Sequence, residues 1–307
     1  MTAQDIAAPA ILLAAYALFF VVLLALYTTK QIKWKSRYSF VFSHVVLRLV
    51  GMALGVAFAA MNWGSPDGVL IAYLVFSAEG YFSLILCAYR FLVVWQQDYL
   101  GVSNLEPRVP KDLPKGEKFR MHLRAPLASV HWALIAANAL IISGSSIMAG
   151  TIGEDENTDD VKSRMNSAKG LRVAGTAIFL AIGQAFLLVC IQAYRRKGNR
   201  TLLLIMATWP FLTIRGVYGI ITVLMPEYSY ASTEAYAADG FTSKFLAAEH
   251  CMGTLMEWSA CGLLLLTHFS KLYGEDEMAE DWSGEDKTVV DGEGGTATRK
   301  TVSTDQV

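Results

Sequence analysis

Seven runs of apolar residues, each about as long as a bilayer is thick, divide this chain. They cover residues 8–29, 40–61, 69–95, 127–150, 170–193, 201–224 and 245–269. A helix that spans a bilayer needs about 20 such residues. Within hydrocarbon the helix satisfies its own backbone polar groups, which an irregular segment cannot do. The third run is longer than required and predicts a tilt or an extension beyond the hydrocarbon core. The connections are mostly short, so the runs predict one bundle and not several domains. The fold class that follows is an all-α integral membrane protein. It is a seven-transmembrane-helix bundle over residues 1–273, with a polar tail at 274–307.

Charge placement adds an orientation. The segments 30–39, 96–126 and 194–200 hold fourteen Lys and Arg residues, among them Lys30, Lys33, Lys35, Arg37, Arg195, Arg196 and Lys197. The alternate segments hold four: Lys162, Arg164, Lys169 and Lys244. Short loops rich in Lys and Arg stay on the cytoplasmic side. The N-terminus is therefore expected outside and the C-terminus in the cytoplasm. Residues 1–7 carry no Lys or Arg and the run after them is of spanning length, so the first helix is expected to remain as its own signal-anchor. Asn199, Arg200 and Thr201 form a glycosylation sequon, but on the cytoplasmic side of this arrangement.

The remaining polar segments are few. Residues 151–169 read as an acidic outer loop with Glu154, Asp155, Glu156, Asp159 and Asp160. Residues 226–244 read as an outer loop with Tyr228, Tyr230 and Tyr236, placed at the headgroup level or against a ligand. The tail has ten acidic and three basic residues and cannot bury a core, which predicts disorder. Its Ser and Thr residues, Ser283 beside Glu285 and Asp286 among them, are open to phosphorylation. Cys87, Cys190, Cys251 and Cys261 all fall inside apolar runs, where they predict packing and not a disulfide framework.

Ionisable residues inside these runs are the candidate functional residues. A charge at mid-bilayer costs at least about 2.5–3.5 kcal/mol and survives where it faces the bundle interior with a partner. Arg215 lies roughly 21 Å from the start of its run and Glu257 roughly 18 Å from the end of its own, so on antiparallel neighbours they stand at one depth. Arg48 and Glu79 lie on consecutive runs at depths about one turn apart. Two salt bridges, Arg215 with Glu257 and Arg48 with Glu79, would neutralise all four. They either lock the packing or line a polar cavity. His44 stands four residues before Arg48, on the same helix face. Gly51 and Gly55 are spaced to let a neighbouring helix approach closely. Arg90 is near enough to the basic end to snorkel without a partner. Glu249 and His250 open the last run and are candidates for the mouth of a cavity. Trp209 and Pro210 mark a candidate hinge, since proline removes a backbone donor and crowds the preceding turn.

Enzymatic patterns are weak. His44, His131 and His268 come from three runs near the basic end, and three histidines can bind zinc. No HxxxH or HExxH pair accompanies them, however, and no P-loop, GxSxG or GxGxxG stands in a suitable context. The expectation is a non-enzyme with no metal, no cofactor and no nucleic-acid partner.

The segments WPFLTIRGVYGIITVL and FLAAEHCMGTLMEW resemble the end of an uncharacterised fungal seven-helix membrane family, known only as a domain of unknown function. The likeness rests on Pro210, Phe211, Leu212, Arg215 and Tyr218 in the sixth run and on Met252 and Glu257 in the seventh. The third run, with AEGYFSLILCAYRFL, is similar more loosely. A more distant likeness is to fungal RTA-like lipid-translocating exporters. The layout also resembles G-protein-coupled receptors, but Arg90 follows Ala88 and Tyr89 without an acidic residue. The last run has neither an Asn-Pro-x-x-Tyr motif nor an interior lysine for retinal. The resemblance implies the fold, not an activity.

The leading expectation is a receptor-like sensor of a small amphiphilic ligand in the plasma membrane or an endomembrane. Its partners would be the bilayer, that ligand and a cytoplasmic signalling protein met through the basic loops or the tail. The alternatives are a translocator of lipids or amphiphiles and a structural adaptor. A path open alternately to both sides would favour translocation; a fully closed, ion-paired core would favour the adaptor.

Overall fold

Helices dominate the protein, described here from a computed structural model that covers residues 3–60, 67–101, 103, 105–106, 114, 126–151, 158–230, 232–237 and 240–272. In chain order the elements are α1 (Ala3–Thr28), α2 (Tyr38–Ala60), α3 (Asp67–Tyr99), α4 (Pro126–Ala149), α5 (Asp159–Arg196) and α6 (Arg200–Leu224). Two short 3₁₀ turns follow, Pro226–Tyr228 and Thr233–Ala235, then a minimal hairpin of β1 (Tyr236–Ala237) and β2 (Gly240–Phe241). The last helix comes in three parts: α7 (Ser243–Ala248), a π-helical turn (Glu249–Thr254) and α8 (Leu255–Leu272). Ala248, Glu249 and Leu255 at the two joints all have right-handed helical dihedrals, so the chain stays helical through the π turn.

Six helices, α1 to α6, are long and apolar enough to cross a membrane. The chain is a multi-pass membrane protein. Its outward faces carry large apolar side chains, including Ile11, Leu18, Val21, Trp132, Leu188 and Leu224. The charged side chains Arg48 and Glu257 are turned inward, the distribution that hydrocarbon imposes. The basic residues Lys30, Lys33, Arg195, Arg196 and Lys197 gather where α1 meets α2 and α5 meets α6; that end is called the basic end below. The acidic tail lies outside the described residues, as does most of the basic stretch between α3 and α4.

Helix boundaries agree with the apolar runs except at α5. Residues 151–169 read as a loop, yet α5 starts at Asp159, about three turns earlier than its run. Two acids, Asp159 and Asp160, occupy the first turn, where the helix dipole favours negative charge. Val161 and Ala168 are buried along this extension, which is otherwise polar. A polar helix leaves no mark in a hydropathy pattern. At the other end α5 and α6 are joined by only three residues, 197–199. Asn199 caps α6 by accepting from Leu202 N (2.9 Å), and the same oxygen accepts from Trp95 Nε1 (2.9 Å). A buried tryptophan N–H and an open helix end are satisfied by one side chain.

The core at the basic half is aromatic, with Tyr38, Phe91, Trp95, Phe179, Phe186 and Trp209 buried. Gly51 and Gly55 lie against Phe76 and Tyr73 of α3, so this pair does bring α2 and α3 close. Cys87, Cys190 and Cys261 are buried and Cys251 is exposed; none is disulfide-bonded. Arg90 does not snorkel unaided. Its Nη1 pairs with Glu106 at 2.6 Å and the guanidinium lies over the Phe40 ring. That partner comes from the stretch after α3, which reads as basic and gives no hint of an inward carboxylate.

Candidate functional site

Glu257 of α8 stands at the centre of the bundle and serves two arginines. Its Oε1 accepts from Arg215 Nε of α6 at 2.6 Å, and its Oε2 pairs with Nη2 of Arg48 from α2. Glu257 is 0% exposed, Arg48 1% and Arg215 12%. The expected partnership of Arg215 and Glu257 is therefore present. The expected pair of Arg48 and Glu79 is not: Glu79 accepts from Asn138 Nδ2 of α4 at 2.6 Å. Arg48 turns toward Glu257 of α8 instead. Its guanidinium lies flat on Gly80 of α3, where an added Cβ would meet Nε at 2.5 Å and Cζ at 2.7 Å. Only glycine lets the arginine pass across α3 to reach α8.

His44 extends this cluster, one turn before Arg48. Ser83 Oγ commits its single proton to the Gly80 carbonyl (2.9 Å), so His44 Nδ1 is the donor to Ser83 (2.9 Å). The Nε2 lone pair of His44 is then buried without a hydrogen-bond partner among the described residues. The Tyr16 ring of α1 packs edge-on against His44, with centroids 6.0 Å apart. His131 is exposed on the outer face of α4, and no metal-holding group of three His, Cys, Asp or Glu residues forms among the described residues.

Toward the end away from the basic loops, the cluster opens into a cavity of about 60 Å³ with mixed polar and apolar walls. Arg215 belongs to both, as ion-pair partner and as cavity wall. Arg172, Tyr81, Tyr218, Tyr230 and Glu249 also line the cavity. Glu249 is buried and accepts from Tyr218 at 2.9 Å and, at a long 3.5 Å, from Tyr73. Tyr230 donates to the Tyr73 hydroxyl at 3.3 Å. Burial pushes the Tyr230 hydroxyl well above its usual value, so it remains a donor. Glu249 thus sits inside the bundle as a wall of the cavity. His250 beside it is half-buried and does not line the cavity.

The π turn explains how Glu249 and Glu257 work together. At about 100° per residue, eight α-helical steps would leave them roughly 80° apart around the axis. A π turn absorbs about one extra residue, which brings the two carboxylates to within roughly 20° of one another. Both then face the arginines.

Trp209 is buried against Phe186 of α5, with ring centroids 5.5 Å apart. Pro210 points outward, and α6 runs unbroken through it. Tyr81 donates to the Leu212 carbonyl in the next turn (3.1 Å), and the Arg215 guanidinium lies over the Tyr81 ring.

No family model, curated protein or solved structure matches this chain. What the site does is decided by its own residues.

Two features were missed in the sequence. Arg172 sits in the third position of the fifth apolar run and is easily taken for part of its basic edge, beside Lys169. The tyrosines Tyr73 and Tyr81 give no signal in an apolar helix until a partner is known. A second, wider cleft of about 380 Å³ lies further out, between the first turns of α5 and the 3₁₀ turns, lined by Lys162, Met165, Lys169, Val223, Pro226 and Glu234. In the segment that follows α6, Lys244 pairs with Glu227 (2.7 Å) and lies over Tyr228; both contacts raise the lysine pKa.

Proposed function

We propose that this protein is a receptor-like sensor of a small amphiphilic ligand, which enters from the end opposite the basic loops. One observation carries the reading: Arg215 is shared between the cavity and the ion cluster that ties α2, α6 and α8 together. A ligand that draws on Arg215 competes with Glu257 and changes the balance among three helices. A ligand shifts an equilibrium only through such a difference in contacts between two states. The outer cleft offers the space that the small inner cavity lacks. Sequence neighbours line both spaces: Lys169 and Arg172, Val223 and Thr222, Ser229 and Tyr230.

The same proposal includes a seventh crossing, with the N-terminus outside and the C-terminus cytoplasmic. Support comes from the length of the segment 243–272, about 45 Å as one helix, and from the alternation of basic connections. We also propose membership in the fungal seven-helix family. Its motif residues Arg215 and Tyr218 both wall the cavity, and its Glu257 is the shared carboxylate. Cysteines introduced at Glu227 and Lys197 in a cysteine-free background test the orientation. An impermeant maleimide is expected to label the first from outside and the second only from within.

The sensor reading is tested on the full chain in phosphatidylcholine nanodiscs, with a panel of ten-carbon amphiphiles. Binding is expected to raise the unfolding temperature and to change the fluorescence of buried Trp209. Movement of labelled lipid across vesicles without either effect would instead support the translocator. No response of any kind would support the adaptor.

A further inference from the structure

We infer that the inner cavity is a carboxylate-class anion site, anchored by Arg172. This rests on the sensor reading and names the headgroup that its ligand carries.

The charges that line the cavity are unbalanced: Arg172 and Arg215 face Glu249, an excess of one positive charge. Glu79, the other acid at this depth, is engaged with Asn138 and does not line the cavity. Arg48 and Arg215 are held by Glu257. Arg172 has no carboxylate within ion-pair distance among the described residues. Its two contacts are weak acceptors, Met148 sulfur at 3.0 Å and the Thr222 hydroxyl at 3.3 Å. A guanidinium has five N–H donors, so these two contacts leave three unused. Arg172 is half-buried, and an anion in the cavity would take up donors that its two contacts leave unused.

The rest of the wall limits the occupant. The Tyr230 and Thr222 hydroxyls give their single protons to Tyr73 and to the Gly219 carbonyl, which leaves the arginine as the anion's donor, and Glu249, already bonded to Tyr218, sets a limit to one negative charge. A water needs roughly 10–15 Å³ of such space. The 60 Å³ cavity is thus of a size for a carboxylate with a water or two, not for a phosphate diester or a chain. Arginine is suited to this role because its planar fork holds both oxygens at once. The fork is placed by packing: Gly144 of α4 has the Arg172 Cγ where its own Cβ would be, at 2.7 Å.

The test uses the full chain in phosphatidylcholine nanodiscs, with thermal unfolding and equilibrium binding as readouts. The probes are butyrate, decanoate, decanoate methyl ester and decyltrimethylammonium. Decanoate is expected to stabilise the wild type, the ester and the cation to do so weakly or not at all. Arg172→Gln is expected to weaken decanoate binding about 10- to 100-fold, the value of a charge-assisted hydrogen bond. If butyrate competes with decanoate at similar concentration, the occupant is a free small carboxylate; if only decanoate binds, it is the head of an amphiphile. Equal binding of ester and acid overturns the anion site and leaves the sensor reading standing. Carboxylate binding with Trp209 fluorescence unchanged does the reverse. Should Arg172→Gln fail to fold, the wild-type comparison of acid, ester and cation still decides the matter.

Discussion

Replacing Glu257 with Met is expected to be the most damaging single change in the cluster, and by a margin that reveals its three-membered form. With Arg215→Met, Glu257 keeps Arg48, so the loss is about that of a charge-assisted hydrogen bond, 1.5–3 kcal/mol. With Glu257→Met, two buried guanidinium groups lose their counterion together. Removing one partner of a buried pair costs about 3–5 kcal/mol. The two arginines approach the same carboxylate and so lie roughly 6 Å apart. At an effective dielectric of about 20 their repulsion adds roughly 3 kcal/mol. The double variant Arg215→Met with Glu257→Met removes the repulsion but strands Arg48, and should still lose about 3–5 kcal/mol. Only the triple variant with Arg48→Met leaves no bare charge and should recover most of the stability. The assay is unfolding in detergent micelles, followed by the fluorescence of buried Trp95 and Trp209. If Glu257→Met costs no more than Arg215→Met, or if the double variant equals the triple, Glu257 does not serve both arginines and the site as described is wrong.

Three further outcomes follow from the same packing. Gly80→Ala forces a methyl onto the Arg48 guanidinium and should cost about 1–3 kcal/mol in the micelle unfolding assay; wild-type stability would mean that Arg48 does not cross α3 there. Asn199→Ala removes the cap of α6 and the Trp95 acceptor, for a loss of about 1–2 kcal/mol, measured the same way, with Asn199→Asp retaining most of the stability. Deleting the exposed Cys251 should be tolerated, because seven α-helical steps align Glu249 and Glu257 as the π turn does. An alanine inserted after Cys251 should abolish the folded, monodisperse species in gel filtration; the opposite ranking would refute the role given to the π turn.

The helices were legible because bilayer length and apolar content are properties of single segments. All six spans from α1 to α6 could be located to within a few residues at their apolar ends, and only the polar start of α5 escaped. The same one-dimensional reading places Arg215 and Glu257 at one depth and Arg48 about one turn from Glu79. It could not place Arg172, whose neighbour Lys169 makes it look like the edge of a span. Nor could it see Gly80, whose meaning depends on a side chain from another helix.

Depth can be read from a sequence, whereas direction around a helix axis accumulates over every intervening turn. Arg48 and Glu79 were matched by depth and do not meet, because Glu79 faces α4 while Gly80, the next residue, faces α2. A single step of about 100° separates a partner from a passage. On the last helix the π turn changes direction again: it gives Glu257 the side that faces both arginines and swings Glu249 onto the same line. Counting acids and bases suggests two independent salt bridges with nothing left over. The directions yield instead one carboxylate held between two arginines, a second carboxylate wrapped in tyrosines, and an arginine on α5 with donors to spare. A site that is neutral by composition can therefore carry a local positive excess, and that excess, beside a small cavity, is what a ligand would meet.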